Sequence, residues 1–290
     1  MSTYVVAGVT GKVGRVVAAE LLSHGQRVRG IARDAARAAE WAAGGGEAAV
    51  GLLEDTEFLT RTLEGAAGCF VLLPEDPFAP DFRGIRRAMA DAIAKAVRES
   101  HVPHVVVLSA VAASLAEGNG PAQDLYYLER AVRKTTARVT VIRACWFQEN
   151  VGAVIPAAMN AGIYPNFTAS SDAAFPTVAT RDVGRIAAAL LLSPPPTNET
   201  IDVVGPLYSP RDLAAALGEA MGKPLLVVDV PARARVQVLV DAGLPRPFAE
   251  EVAELYACFE AGRVRPEGDR MLAGTTPIQS VVADMIARGA

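Results

Sequence analysis

Three glycines, Gly8, Gly11 and Gly14, punctuate the stretch Val5–Gly14 (VVAGVTGKVG), and their spacing points to anion binding. An apolar run, Tyr4 to Ala7, precedes them and reads as a buried strand. Arg15 to Ser23 (RVVAAELLS) follows with a helical pattern. The first turn of a helix carries unpaired N–H groups and a partial positive charge, so strand, glycine turn and helix in that order make a site for a phosphorylated ligand. Gly8 permits the tight turn, Gly11 lets the backbone approach a pyrophosphate, and Gly14 lets the helix close on the strand. A glycine-rich turn often serves only the path of the chain. Here a strand before, a helix after and a second strand soon following supply the context of a dinucleotide site.

Arg33 is the next residue that could do chemistry. It follows Arg27–Ala32 (RVRGIA), the expected second strand, where a dinucleotide fold reads the adenosine ribose. An acid there favours the free 2′-hydroxyl of NAD, whereas an arginine fits the 2′-phosphate of NADP. Charge-assisted bonds to phosphate are worth about 1.5–3 kcal/mol, enough for roughly tenfold discrimination or more. Asp34 is adjacent, an acid that blurs this reading, though it can equally cap the following helix. The three cysteines, Cys69, Cys145 and Cys258, lie far apart among apolar neighbours and read as reduced core thiols, without metal-ligand spacing. The histidines, His24, His101 and His104, sit at a helix end and beside a strand start, where capping or surface roles are expected. Lysine occurs only at 12, 95, 134 and 223, which leaves few candidates for a catalytic amine.

Hydrophobic residues make up 51% of the 290-residue chain but aromatics only 6%, so the apolar content is largely Ala and Val, suited to helix-on-sheet packing. A formal charge of −4 and a pI near 5.5 lack the basic stripe of a nucleic-acid binder. No leader pattern and no apolar run of spanning length is present, so a cytoplasmic protein without membrane partners is expected.

These residues need a frame. Ala48–Leu53, Cys69–Leu73, Val105–Leu108 and Arg138–Arg143 read as further strands. Helices at Thr56–Leu63, about Asp81–Glu99 and Gln123–Lys134 separate them. Strands alternating with helices of this length predict an α/β fold, a Rossmann-type doubly wound parallel sheet covered on both faces. Ligands on such a sheet sit beyond the carboxyl ends of the strands. That places Gly8–Gly14, Arg33, Leu72–Pro74, Ser109 and Ala144–Phe147 around one crevice. Beyond residue 150 the alternation breaks. Val151–Ala161 is expected as helix and Gly162–Pro176 as irregular. Thr180–Ser193 is expected as helix, Thr200–Val204 as strand, and Ser209-Pro210-x-Asp212 as a helix start. The remainder holds short helices and one strand, Leu225–Val228. The expected division is a dinucleotide-binding domain over 1–150, with 180–205 returning to it, and a smaller α/β substrate lobe over 151–290.

Taken together, these stretches resemble the NmrA-like group of atypical short-chain dehydrogenases/reductases. The markers are GxTGxxG at Gly8–Gly14, RVRGIARD at Arg27–Asp34, LLP at Leu72–Pro74, VVVLSAV at Val105–Val111, IRACWFQEN at Ile142–Asn150, FPTVATRDVGRIAAALL at Phe175–Leu191 and GPLYSPRDLAAALGEAMGKP at Gly205–Pro224. The resemblance implies that Gly8, Thr10, Gly11, Lys12, Val13 and Gly14 cradle the pyrophosphate and that Arg33 holds the 2′-phosphate. Leu72, Leu73 and Pro74 would line the path to the nicotinamide ribose. Trp146, Phe147 and Asn150 would border the nicotinamide or substrate pocket. Ser109 matches the serine with which short-chain reductases bond a substrate carbonyl.

The departures from that group carry as much information. The Tyr-x-x-x-Lys pair of short-chain reductases is missing; Tyr126 has Arg130 four residues on, on the same helix face. Arginine cannot shuttle a proton, although its charge can depress a neighbouring phenol's pKa. Tyr126 and Tyr127 are the candidate proton donors. Leu52 stands where relatives often have an aspartate for the adenine amino group, and Arg143-Ala144 replaces the usual Arg-Pro. The expectation is an NADP(H)-dependent oxidoreductase that passes hydride to a small conjugated or aromatic carbonyl compound such as a quinone. The alternatives are a non-catalytic redox-sensing regulator, or a non-redox isomerase or cyclase on the same fold. A homodimer is common for such folds.

Overall fold

In the computed structural model, which describes residues 1–288, the chain alternates strand and helix through its first half. β1 (Thr3–Ala7) leads through the glycine turn to α1 (Lys12–Ser23), then come β2 (Arg27–Ala32), α2 (Ala35–Ala42), β3 (Glu47–Val50), α3 (Thr56–Leu63) and β4 (Gly68–Val71). α4 (Phe82–Ser100), β5 (His104–Ala110), α5 (Ala122–Val132) and β6 (Arg138–Ala144) complete the alternation. A short β7 (Trp146–Phe147) precedes α6 (Ile155–Ala161), β8 (Ile163–Asn166), β9 (Phe175–Val178) and α7 (Thr180–Leu192). β10 (Glu199–Val204), β11 (Leu207–Tyr208), α8 (Pro210–Ala220), β12 (Leu226–Asp229), α9 (Arg235–Asp241), α10 (Arg246–Glu260), β13 (Arg270–Ala273) and α11 (Ile278–Ala287) follow.

The main sheet has eight strands in the order β13-β10-β6-β5-β4-β1-β2-β3, and every pairing within it is parallel. Alternate residues feed two cores, as a sheet covered on both sides requires. Val5, Cys69, Val105, Val107 and Val139 pack against α3, α4 and α5, while Val6, Phe70, Val106 and Ile142 pack against α1 and α7. α1 and α7 approach closely through Gly184, where an added Cβ would stand 2.6 Å from that of Val16. The chain reverses its direction of travel across the sheet between β1 and β4, so their carboxyl ends flank the crevice in which such folds bind ligands.

A third core lies outside the sheet, built by α6, α8, α11 and Tyr164 of β8 around Ile155, Leu213, Leu217, Ile278 and Val281. Two small sheets frame it, β11-β9-β7 and β12-β8. The segment Gly162–Pro176, expected to be irregular, contains β8 and the start of β9. Pro165 looks like a strand breaker, but β8 pairs only with β12, and a strand with one free edge tolerates the missing N–H. β10 pairs with β6, and β13, which falls within the stretch assigned to the lobe, is the outermost strand of the main sheet. Among the described residues no helix is long and apolar enough to cross a membrane.

Candidate functional site

The glycine turn is built for close approach. Gly8 adopts φ +66°, and its N–H bonds to the carbonyl of Ile31 at 3.0 Å, tying the turn to β2. A Cβ on Gly14 would lie 2.4 Å from the carbonyl oxygen of Gly8 and 2.6 Å from that of Ala7, so no other residue lets α1 sit this near β1. Gly11 is the N-cap of α1. No side chain bonds to the first turn and no acid lies within it, so its N–H groups remain for an anion. Leu72 packs over Gly8, while Leu73 turns into the core beneath α3 and α4 and Pro74 is half-buried. Val13 is likewise buried, Thr10 is half-buried and Lys12 is exposed.

Arg33 is exposed at the end of β2 and has no ion-pair partner among the described residues. Asp34 caps α2, accepting from the N–H of Arg37 at 2.8 Å. Its carboxylate is held at the start of α2 and forms no ion pair with Arg33 among the described residues. Arg37, overlooked in the sequence, brings a second guanidinium to the cradle and donates from Nη2 to the carbonyl of Thr10 at 3.0 Å. Trp41 locks α2 in that position. A Cβ on Gly30 or Gly46 would come within 2.5 Å and 2.2 Å of its ring, so the indole fills the space two glycines leave. A glycine turn with free N–H groups and two arginines beside it therefore has the donors that a dinucleotide carrying an extra phosphate requires.

The expected catalytic hydroxyls are distributed differently. Ser109 is 3% exposed, and its Oγ donates to Glu129 Oε1 at 2.6 Å rather than facing the crevice. Glu129 is gripped from the other side by Arg143, whose Nε and Nη2 donate to its two oxygens at 2.9 and 2.7 Å. Burial opposes the guanidinium charge, but the bond and charge of Glu129, reinforced by Asp202 and Glu267, outweigh it and raise the Arg143 pKa. Arg143 also reaches the carbonyl of Ala113, 3.4 Å away, in the short 3-10 turn that leaves β5. This knot of Ser109, Glu129 and Arg143 pins β5, β6 and α5 together.

Tyr127 is a correction: it lies on the outer surface between α5 and α4, donating to Asp91 at 2.8 Å, with Arg87 over its ring. The bond to Asp91 and partial desolvation raise its pKa, the wrong direction for a proton donor tuned to neutral pH. Tyr126 is half-buried one turn before Glu129, with the Arg130 guanidinium 5.6 Å from its ring centre. Trp146 meets Phe175 edge-on at 5.6 Å beside the lobe core, Phe147 packs against the α1–α7 core, and Asn150 is exposed. The thiols are free. Burial holds Cys69 and Cys145 up at about 12 and raises Cys258, so all three are protonated at neutral pH.

Comparison with known proteins agrees with this fold. The chain is similar to an NAD(P)H azoreductase of Xenophilus azovorans, 27% identical over 256 residues that cover 87% of this chain and 85% of the relative. Its fold superposes on the triphenylmethane reductase of Citrobacter sp. with a TM-score of 0.81 at 23% identity, covering 99% of this chain and 100% of that one. The NADPH-dependent quinone oxidoreductase of Escherichia coli, solved with NADPH, also gives 0.81 at 19% identity over 98% and 99%. The family model described as NmrA-like family matches residues 1–283. With the match running through almost the whole length of the chain, main sheet and lobe alike, the chain belongs to the NmrA-like family.

Proposed function

We propose that the protein is an NADP(H)-dependent oxidoreductase that passes hydride to a small conjugated or aromatic carbonyl acceptor such as a quinone. The observation that carries the reading is the pair of guanidiniums, Arg33 and Arg37, at the rim of a glycine cradle whose helix start has no side-chain cap and no acid in its first turn. The relatives support it, being reductases described with NAD(P)H or NADPH. When bound, the dinucleotide supplies the hydride. In this reading residues 1–150 with 180–205 bind the dinucleotide, and the lobe formed largely from 151–290 walls the acceptor.

The roles of the chain's own groups follow. Gly8, Gly11 and Gly14, with the backbone of Thr10, Lys12 and Val13, orient the pyrophosphate, and Leu72 closes the turn. Trp146 and Phe175 present an apolar wall. Ser109 acts through Glu129 and Arg143 to hold the end of β5, not by touching an acceptor. Tyr126 is the one proposed proton donor left of the two tyrosines. A quinone suits such a site, because conjugation stabilises its reduced anion without a strong protein acid.

The engaged hydroxyls of Ser109 and Tyr127 also favour a second reading, a regulator that binds the dinucleotide and catalyses nothing. The test is calorimetric titration with NADPH, NADP⁺, NADH and NAD⁺ on the parent and on Arg33→Ala, followed by NADPH oxidation across a quinone panel. Binding of the phosphorylated pair, lost in the variant, together with turnover supports the oxidoreductase. Binding without turnover on any acceptor turns the assignment to the regulator, and no binding of any of the four removes both.

A further inference from the structure

The loop that leaves β4 does more than connect it to α4. Between residues 77–83 and the first half of α10 lies a cavity of about 510 Å³, a volume suited to a molecule of two or three rings. Phe78 stands in its wall with 69% of its surface exposed. A phenylalanine this open is costly in water unless something covers it, and Pro77 and Pro80 on either side stiffen the loop that presents it. The floor is aromatic too: Phe82 of α4 meets Phe248 of α10 edge-on at 5.4 Å.

Carboxylates outnumber cations on the walls. Asp81, Glu250, Glu251 and Glu254 line the cavity against a single cation, Arg83. Arg83 is already spoken for: Glu251 binds it through both carboxylate oxygens, and Asp124 lies 3.4 Å from its Nη1. Its guanidinium also covers one face of Phe82. Asp81 caps α4 through the N–H of Gly84, and Glu254 accepts from the N–H of Gly120, so both are held in place by backbone donors. Glu250 is exposed and unpaired among the described residues. The result is a preformed hollow with π faces and surplus negative charge, an arrangement that attracts a cation to an aromatic ring.

We propose that this cavity binds a flat aromatic organic cation, stacked on Phe78 and held by the field of Glu250 and its neighbouring carboxylates. The proposal concerns binding alone and stands whether or not the glycine cradle holds a dinucleotide. It needs no residue of that cradle.

The test compares three probes of similar size on the full chain: N-methylquinolinium, quinoline at a pH where it is neutral, and naphthalene-2-sulfonate. Calorimetry should show N-methylquinolinium binding about fivefold or more tighter than quinoline, weakening with added salt, and no binding of the sulfonate. Phe78→Ala should weaken the cation about fivefold and Glu250→Gln about twofold. Both side chains are exposed, so both variants should keep the parent's unfolding midpoint in urea. Equal binding of quinoline and its cation would overturn the charge argument. Cation binding unchanged in both variants would place it elsewhere and overturn the site. An NADPH titration on the same samples reads the cradle separately, so its outcome and that of the cavity are distinguishable.

Discussion

Acidification should destabilise this protein through one imidazole. His104 opens β5 and is 2% exposed; its Nε2 shares a 2.9 Å hydrogen bond with Thr140 Oγ1, and Nδ1 has no partner. Burial, with the charge of Arg138 adding to it, lowers its pKa from 6.5 to about 4. Well above pH 6.5 the ring is neutral in the folded and unfolded chains alike and its titration costs nothing. As pH falls below that value the unfolded chain takes up a proton that the folded chain refuses until about pH 4, so stability drops across this window and levels off beneath it. Integrating both titrations from pH 7 to pH 5 gives a loss of about 2 kcal/mol, and the whole window about 3 kcal/mol. Urea unfolding at pH 7 and pH 5 on the parent and on His104→Leu measures it. The variant loses the Thr140 bond and is weaker at both pH values, but its own pH dependence should be flatter by about 2 kcal/mol. Identical slopes in parent and variant would refute the reasoning.

Three further outcomes follow from the site. Arg37→Ala should raise the Kd of NADPH about tenfold or more while changing that of NADH less than about twofold, by calorimetry. Equal losses on both would reduce Arg37 to a prop for Thr10. Gly14→Ala forces a methyl against two carbonyl oxygens, so α1 must move off β1. The expected cost is about 1–3 kcal/mol in urea unfolding, with loss of NADPH binding, and an unaltered titration would contradict the cradle. Glu129→Gln strands the charge of Arg143, whose side chain is only 13% exposed. Thermal unfolding should register about 3 kcal/mol, and a loss under about 1 kcal/mol would mean that Asp202 and Glu267 suffice as its partners.

What could be read before folding was what local chemistry dictates. β2 runs over Arg27–Ala32 and α3 over Thr56–Leu63 as expected, because Gly25 and Gly65 punctuate the chain and Asp55 caps the helix in between. Ser209 and Asp212 form the reciprocal cap that their spacing announces. β13 was invisible: RMLA is four residues with Arg270 and Met271 exposed, and only its ladder with β10 makes it a strand. Tyr126 and Tyr127 differ by one residue, about 100° around a helix, and the phase that sends Tyr127 outward is set by how α5 seats on the sheet. Ser109 shares its face of β5 with Val105 and Val107, and that alternation already aimed it at α5, where Glu129 waits. Arg37 carried a signal too, standing four residues after Arg33 at the head of a helix.

The indole wedged between Gly30 and Gly46 has a spectroscopic consequence. The chain has two tryptophans. Trp41 sits behind the arginine rim, and Trp146 sits beside the lobe core near the carboxyl end of β6. The helix that carries Arg37 and the lobe core therefore each hold a natural fluorophore. Replacing either with phenylalanine would leave a reporter for one of them alone, so the two single-tryptophan chains could time, in a stopped-flow mixer, whether that helix or the lobe responds first when a ligand arrives.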